Sequence, residues 1–261
     1  MKNIFIAFLM LSILCLGAQA KIMTKTVEYS DGDTILQGYL AWDSSMKKPT
    51  PAVLIFHEWW GINKYVEKRA RQIASLGYIA FCGDIYGKGV RPKNEEEAGK
   101  QAGIYREDRK LMVKRAELAL DTLKKQKNVN SKKIAAIGYC FGGGVALELA
   151  RTGADVVGVV SFHGNLDTMT PASAESFKPV VLVFQGGDDP YVTREAIEKL
   201  QDEMNAAKAD WTTTIYGGAV HGFTNPANGT DASKGLAYNK KADMRSWNAF
   251  FKFLREIFGK K

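Results

Sequence analysis

The sequence contains few cysteines and histidines, and it has no long hydrophobic run after residue 20. Its 261 residues include three cysteines, three histidines and seven prolines. Because the histidines are scattered, and neither a C-x-x-C nor an H-x-x-x-H spacing occurs, the usual ligand patterns of a zinc site are missing. These missing patterns lead us to expect no metal and no cofactor. After residue 20 there is no apolar stretch of about 20 residues, so no transmembrane helix is expected in that part of the chain.

The charge and composition exclude several classes of protein. The net charge is +8, with 36 basic and 28 acidic residues. The densest basic segment, residues 124–133, contains no aromatic residue and no nucleic-acid-reading motif, so a solvated helix end explains it better than a nucleic-acid surface. A composition of 46% hydrophobic and 25% charged residues is typical of a globular protein, not of a disordered chain, a collagen or a coiled coil.

The first 20 residues resemble a secretory signal peptide. Lys2 is the only charge among them, an apolar run spans residues 4–16, and the segment ends in the small-x-small pattern Ala18-Gln19-Ala20. The apolar run is too short to span a bilayer comfortably, since spanning helices need about 20 residues. The residues before Cys15 do not suit a lipoprotein signal. We expect cleavage after Ala20 and a periplasmic or secreted protein with no stable membrane anchor; a retained anchor is the alternative.

The remaining residues, 21–261, alternate between strand and helix patterns and are expected to form a single domain. Two segments with period-two alternation flank Asp31-Gly32, a hairpin signal. Apolar runs typical of buried strands follow at 52–56, 78–82, 134–139, 156–162 and 180–185, a last strand fits 212–216, and helical patterns lie between them. The closing helix carries an aromatic stripe, which is typical of core packing. This order predicts an α/β fold, a mostly parallel sheet with helices on both faces and a site at the strand ends.

The segment G-Y-C-F-G-G-G, residues 138–144, predicts a nucleophile at Cys140. It follows an apolar strand and opens a helix, as in a G-x-C-x-G form of the nucleophile elbow. The helix N-terminus brings a positive dipole end and a free backbone N–H to the sulfur, which favours negative charge and supplies half of an oxyanion hole. A phosphate loop would require a following Lys-Ser or Lys-Thr, which is missing. A buried structural cysteine is the other alternative.

A base and an acid should follow the nucleophile in chain order. The two downstream histidines are His163 and His221. His221 comes after the last predicted strand and is expected to be the base, whereas His163 ends an earlier strand and is expected to line the pocket. Asp188 and Asp189 both follow strand 180–185. The spacing G-x-x-D-x-x-V favours Asp189 as the acid and leaves Asp188 as a turn residue.

At these sites, and in the segment H-E-W-W-G of residues 57–61, the sequence resembles the dienelactone hydrolase family of the α/β-hydrolase superfamily, over residues 25–258. The resemblance implies a hydrolase of small-molecule carboxylic esters or lactones. It implies that Glu58 contacts the resting thiol and accepts its proton on substrate binding; a nearby carboxylate would hold the thiol protonated, because two negative charges repel each other. It also implies an oxyanion hole made by the N–H groups of Trp59 and Phe141.

Two departures from the family concern the substrate. The family segment D-L-Y-x-R corresponds to D-I-Y-G-K here, so Tyr86 and Lys88 are expected to contact the substrate, but lysine lacks the bidentate fork of arginine. The family's second carboxylate-binding arginine falls near Asn225, which is uncharged. Trp59 and Trp60 are expected to line an apolar pocket. The site therefore suits a small anionic dienelactone less well, and the substrate stays open.

The residues leave other activities open. A cysteine nucleophile accepts several acyl donors, so a thioesterase or peptidase acting through Cys140, His221 and Asp189 is an alternative. A second alternative is a catalytically silent binding protein with the same fold, because folds are reused without their chemistry. Four groups at the expected spacings argue against that second alternative.

Cys82 and Cys140 are expected to stay reduced. Two cysteines in an exported chain invite a disulfide. In the expected fold, however, one strand separates the strand ending at Cys82 from the elbow strand, which sets the Cα atoms about 9–10 Å apart. A disulfide requires about 7 Å or less. We predict two free thiols, with Cys82 buried and inert.

Overall fold

Our computed structural model describes residues 21–259. The predicted signal peptide and its cleavage site after Ala20 lie outside or at the edge of the described residues, so the structure does not bear on them. Within residues 21–259, no helix is both long enough and apolar enough to cross a bilayer.

Strands and helices mostly alternate along the described chain after an opening hairpin, as the apolar patterns predict, but two helices lie between β4 and β5 and none lies between β6 and β7. In chain order the elements are β1 (Ile22–Asp31), β2 (Thr34–Asp43), β3 (Thr50–Phe56), α1 (Lys64–Ser75), β4 (Ile79–Gly83), α2 (Glu95–Glu107), α3 (Arg109–Lys124), β5 (Val129–Tyr139), α4 (Phe141–Arg151), β6 (Gly158–Phe162), β7 (Val180–Gly186), α5 (Arg194–Ala206), β8 (Trp211–Tyr216) and α6 (Lys240–Ile257). Two single 3₁₀ turns lie between β8 and α6.

The strands form one eight-stranded sheet in the order β1-β2-β4-β3-β5-β6-β7-β8. Strands β3 to β8 run parallel to one another, and the hairpin β1-β2 joins β4 antiparallel. The carboxyl ends of the parallel strands therefore meet at one edge of the sheet, where ligands bind in such folds. The prediction of a mostly parallel sheet is confirmed.

Helices cover both faces of the sheet. Alternate residues of β3 show why its sequence is continuously apolar: Leu54 points into a core built with α2 to α5, and Ile55 points into a second core built with α1 and α6. In α6, Phe250 and Leu254 are fully buried. The aromatic stripe of this closing helix is thus core, as its spacing predicts.

The two cysteines of the described chain are free and buried. Cys82 lies in β4 and Cys140 follows β5, with β3 between these strands. The argument from strand spacing is confirmed.

Helix α4 packs very closely against the sheet at its first turn. A Cβ atom at Gly142 would lie 2.3 Å from the carbonyl oxygen of Phe56, at the end of β3. A Cβ atom at Gly138 would lie 1.8 Å from the carbonyl oxygen of Gly142. Both neighbours are backbone atoms that cannot turn away. Glycine at these two positions is therefore what allows the turn between β5 and α4 to be this tight.

We expect Gly142→Ala to lower the free energy of unfolding by about 2–3 kcal/mol, because the added methyl group overpacks the contact with β3. Gly99→Ala is a matched control: Gly99 lies within α2 and an added Cβ meets no atom within 4 Å. That control should gain about 0.5–1 kcal/mol from the higher helix propensity of alanine. Urea denaturation of both variants measures the difference; equal stabilities would contradict the packing argument.

Candidate active site

Cys140 occupies a strained turn at the tip of β5. Its backbone has φ +53° and ψ −119°, in a region that residues with a side chain rarely adopt. Its N–H donates to the carbonyl oxygen of Phe162 at 3.0 Å, and its carbonyl oxygen accepts from Gly143 N–H at 2.9 Å. The strained geometry is therefore held from β6 on one side and from α4 on the other. The residue is 7% exposed.

The structure brings Cys140, His221 and Asp189 together. Cys140 Sγ lies 3.1 Å from His221 Nε2, and His221 Nδ1 lies 2.8 Å from Asp189 Oδ2. Asp189 Oδ1 accepts from the N–H of Tyr191 at 2.8 Å, which fixes the carboxylate. Asp188 is exposed and makes a turn. Of the two candidate aspartates, Asp189 is the one that touches the imidazole.

His221 lies between two groups that favour its charged form. Burial alone would lower the pKa of His221, but the neighbouring sulfur of Cys140 and the carboxylate of Asp189 outweigh burial and raise that pKa above its ordinary value. A positively charged imidazole is therefore stabilised next to the sulfur. This arrangement suits a thiolate–imidazolium pair.

Glu58 lies in the loop after β3 and is buried. Its Oε2 accepts from Asn225 Nδ2 at 2.7 Å. Burial raises the pKa of Glu58 to about 7, although Asn225, His221 and Arg69 each lower it. The resemblance implies a contact between Glu58 and the resting thiol. In the described residues the thiol pairs with His221 instead, because the amide of Asn225 holds the Glu58 carboxyl group.

The loop that carries Trp59 is fixed by buried side chains. His57 Nε2 accepts from the N–H of Ile85 at 3.3 Å, so Nδ1 carries the proton and donates to the carbonyl oxygen of Glu58 at 2.6 Å. Tyr86 donates its hydroxyl to the carbonyl oxygen of Trp59 at 3.1 Å. Across residues 21–259, the N–H groups of Trp59 and Phe141 have no hydrogen-bond acceptor. Both predicted oxyanion donors are thus available to a ligand.

A cavity of about 1010 Å³ opens onto this cluster. Its walls include the predicted residues Glu58, Trp59, Trp60, Cys140 and His221. Trp59 and Trp60 meet edge to face, with ring centroids 5.3 Å apart. In the described part of the chain, no three His, Cys, Asp or Glu side chains are grouped closely enough to hold a metal ion.

Three predicted substrate contacts lie elsewhere and do not line this cavity. Lys88 Nζ pairs with Glu28 Oε1 on the neighbouring strand β1, at 2.7 Å. Tyr86 is buried beneath the Trp59 loop, where its hydroxyl group is already used. His163 is fully buried behind the elbow. The prediction that these three side chains contact the substrate is therefore wrong for this cavity, because the sequence did not give the direction of the side chains.

Arg106 and Tyr191 are among the cavity-lining residues that sequence reasoning missed. Arg106 comes from the polar side of α2, where nothing in the sequence distinguishes it from other surface arginines. Tyr191 is 61% exposed, and its ring meets the His221 ring edge to face, with centroids 5.2 Å apart. Its position two residues after Asp189 was the available signal, because residues after a strand end reach the site.

Residues 224–245, whose role the sequence left open, form a loop as far as residue 239, where α6 follows, and this loop borders the cavity. Its 3₁₀ turns bring Asn228 and Lys234 to the cavity wall. The loop is hydrogen-bonded to the backbone of His221: His221 N–H donates to Gly235 O at 3.2 Å, and Ala237 N–H donates to His221 O at 3.1 Å. The segment that shapes the mouth therefore also holds the His221 backbone.

Comparisons with known proteins agree with this geometry. A model of the dienelactone hydrolase family matches residues 36–258. The chain is 26% identical to a putative carboxymethylenebutenolidase of Aquifex aeolicus, over 89% of this chain and 98% of that protein. It is also 26% identical to a putative carboxymethylenebutenolidase of Saccharolobus solfataricus, over 90% of this chain and 99% of that protein.

A solved structure is also similar over most of the chain. It is a dienelactone hydrolase-like promiscuous phosphotriesterase from metagenomic libraries, 37% identical, with a TM-score of 0.85 and coverage of 90% of this chain and 98% of that one. The family model spans most of the sequence, and the sheet is mostly parallel with helices on both faces, as the sequence predicts. The chain therefore belongs to the dienelactone hydrolase family of the α/β-hydrolase superfamily, and it is a dienelactone hydrolase-like hydrolase of esters or lactones.

Proposed function

We propose that the protein hydrolyses carboxylic esters or lactones with Cys140 as the nucleophile, through a thioester acyl-enzyme. The observation that carries the proposal is the continuous contact from Cys140 Sγ to His221 Nε2, at 3.1 Å, and from His221 Nδ1 to Asp189 Oδ2, at 2.8 Å. A nucleophile, a base and an orienting acid within hydrogen-bond reach are the requirements of this chemistry.

Acylation begins from the pair formed by the Cys140 thiolate and the His221 imidazolium. The Cys140 thiolate attacks the carbonyl carbon, and the developing oxyanion is bound by the N–H groups of Trp59 and Phe141. The intermediate then collapses: the bond between the acyl carbon and the ester oxygen breaks, and His221 gives its Nε2 proton to the leaving alkoxide. The acyl group stays on the sulfur as a thioester, and the imidazole is neutral.

Deacylation reverses these roles. His221 takes a proton from water, and the resulting hydroxide attacks the thioester carbonyl at the same oxyanion hole. The carbon–sulfur bond breaks, the carboxylic acid leaves, and the thiolate and imidazolium are restored. Asp189 holds the imidazole with Nδ1–H toward its carboxylate throughout, so that Nε2 always faces the reacting atoms.

Glu58 is proposed to generate the thiolate–imidazolium pair: starting from a Cys140 thiol beside an already protonated His221, the ionised Glu58 carboxylate accepts the thiol proton when substrate binds. A pKa of about 7 suits a group that exchanges a proton near neutral pH. In the structure its carboxyl group binds Asn225 at 2.7 Å, so this role requires Glu58 to turn from the amide toward Cys140. A neutral amide partner holds the carboxyl group less firmly than a guanidinium would.

The cavity favours esters larger than a small lactone. Its volume of about 1010 Å³ is at the upper end of small-molecule sites, and Trp59 and Trp60 offer an apolar wall. Lys93 and Arg106 at the wall would tolerate a negative charge on the far part of the substrate. The 37% identity to a promiscuous phosphotriesterase makes phosphotriester hydrolysis the second candidate activity, since the same thiolate could attack phosphorus.

The first test is hydrolysis of p-nitrophenyl esters of increasing acyl length, with a p-nitrophenyl phosphotriester alongside. We expect Cys140→Ala to abolish ester turnover. Cys82→Ala is the matched control and should keep the wild-type rate, because Cys82 is fully buried in β4 and its burial raises the pKa of its thiol. Iodoacetamide should inactivate the wild type and the Cys82 variant equally.

The outcomes separate the candidate functions. Equal turnover by wild type and Cys140→Ala would refute the nucleophile assignment. No ester turnover, with rapid alkylation of Cys140, would move the proposal to thioester or peptide substrates. Neither turnover nor alkylation would favour the silent binding protein.

A second prediction concerns stability and follows from the buried carboxyl group. The pKa of Glu58 in the folded protein, about 7, lies above the ordinary value of 4.5, so folding favours the protonated form. The protonated Glu58 carboxyl group therefore contributes fully to stability below about pH 4.5, and this contribution is lost as the pH rises to about 7. Glu58→Gln cannot ionise and has no such loss. Between these two pH values we expect the free energy of unfolding of Glu58→Gln to rise relative to that of the wild type by on the order of 3 kcal/mol.

Urea denaturation of both proteins at a series of pH values measures this gain. The matched control is Glu117→Gln, because Glu117 is an exposed residue of α3. Its difference from the wild type should stay flat with pH. A flat difference for Glu58→Gln as well would show that the carboxyl group is not destabilised by burial.

We also propose that the protein is exported, on the strength of residues 1–20 alone. The support is the single Lys2, the apolar run of residues 4–16 and the small residues Ala18 and Ala20. Expression of the full chain in a Gram-negative host, with mass spectrometry of the periplasmic fraction, should find a mature N-terminus at Lys21. An intact N-terminus in the cytoplasm would refute export.

A further inference from the structure

The strand next to the elbow also ends in an unusual residue. His163 follows β6 directly, and its φ of +42° lies in the left-handed region. Its side chain is fully buried, and its N–H donates to the carbonyl oxygen of Phe184 in β7 at 2.7 Å. A strained backbone in a residue with a bulky side chain persists only where the surroundings enforce it, and such residues cluster at functional sites.

The imidazole of His163 contacts both the nucleophile and the segment of the base. Its Nδ1 accepts from the N–H of Cys140 at 3.2 Å. Its Nε2 lies 2.7 Å from Thr224 Oγ1, in the segment that follows His221. Because Nδ1 accepts a hydrogen bond, the proton is on Nε2 and is donated to Thr224. The ring also meets the His221 ring edge to face, with centroids 5.4 Å apart.

Thr224 is itself held firmly. The hydroxyl group of Tyr65 in α1 lies 2.6 Å from Thr224 Oγ1. Arg69, one turn further along α1, donates from Nη2 to the Thr224 carbonyl oxygen at 2.8 Å. The same Nη2 is ion-paired with Asp243 in α6. Two helices therefore fix the point at which His163 meets the base segment.

We propose that His163 and Thr224 are positioning residues, and that their hydrogen bond sets the position of Cys140 Sγ opposite His221 Nε2. The proposal rests on the hydrolase function proposed above. The elbow and the base come from different strands, β5 and β8. The Cys140–His163–Thr224 link is a direct side-chain connection between the two segments, close to the reacting atoms. A displacement of about 1 Å at such a point is enough to slow catalysis about 100-fold.

The link works only with a neutral imidazole. Cys140 N–H is shared between two acceptors, the carbonyl oxygen of Phe162 at 3.0 Å and His163 Nδ1 at 3.2 Å, while Nε2 donates to Thr224. An imidazolium would face the Cys140 N–H with a second donor and lose the contact at Nδ1. Burial holds the pKa of His163 well below its ordinary value, and the nearby charges of His221 and Arg69 act in the same direction. His163 thus stays neutral while His221 gains and loses its proton.

Two variants break the link without removing a group that touches the substrate. Thr224→Val keeps the shape of the side chain and removes its hydroxyl group. His163→Asn keeps an acceptor for the Cys140 N–H and tolerates a positive φ, but it is too short to reach Thr224. Thr224→Ser restores the hydroxyl group and serves as the rescue. The matched control is Ser161→Ala in β6, whose buried hydroxyl group has no hydrogen-bond partner in the described structure.

The experiment measures kcat and KM for the best ester, the pH profile of iodoacetamide alkylation at Cys140 by mass spectrometry, and the melting temperature. For Thr224→Val and His163→Asn we expect kcat to fall about 10- to 100-fold with KM unchanged. The alkylation profile should move to higher pH, because the imidazolium is less well placed to stabilise the thiolate. Thr224→Ser should regain most of the wild-type kcat and profile, and Ser161→Ala should match the wild type.

Two results would overturn the proposal. One is a folded Thr224→Val protein with wild-type kcat and alkylation profile. The other is a lower melting temperature and a smaller active fraction with an unchanged profile, which would show a purely structural role. Alkylation needs no ester turnover, so a profile that shifts in these variants supports the link even if Cys140→Ala were to keep its activity and refute the proposed function.

Discussion

The close approach of helix α4 to strand β3 determines where every other group of the site must be. Gly142 lets the helix backbone come within contact of Phe56, so that the first N–H of the helix and the loop after β3 face the same point. The turn that results holds Cys140 in a left-handed conformation at the end of β5. His221, which follows β8, and Asp189, which follows β7, must then both reach this point. Three strand ends converge because the parallel sheet aligns them at one edge.

Burial shapes the electrostatics around this point. Burial acts to lower the pKa of both His221 and His163; at His221 the flanking sulfur and carboxylate outweigh burial and raise the pKa, whereas at His163 burial prevails and the neighbouring His221 lowers the pKa further. Glu58 has a neutral amide as its hydrogen-bond partner, and its pKa of about 7 leaves it partly ionised at neutral pH. Three buried ionisable side chains thus differ in charge at neutral pH. Their differences follow from which neighbour each one has.

The sequence was sufficient for the sheet and for the grouping of Cys140, His221 and Asp189, and insufficient for what surrounds them. Apolar runs and glycine spacing depend on local backbone needs, so the strands, the tight turn at Cys140 and the strand ends that carry the other two residues could be predicted. Lys88 was misplaced because its ion pair with Glu28, in β1, joins residues that lie far apart in the chain. The contact of His163 with Thr224 joins residues 61 positions apart and has no local pattern. Direction and pairing of side chains are set by tertiary packing.

The loop of residues 224–239 is anchored at both of its ends. Asn239 N–H binds Phe223 O at 3.0 Å, and the Gly235–Ala237 segment pairs with His221, while the turns between them border the cavity. Asn228 is a further anchor, since its Nδ2 donates to the carbonyl oxygen of Gly222 at 2.9 Å, next to His221. Residues 230–234 are exposed, and lengthening a surface loop whose ends are fixed costs little free energy. Directed evolution of new substrate preferences should begin in this exposed stretch, where changes leave those anchors in place.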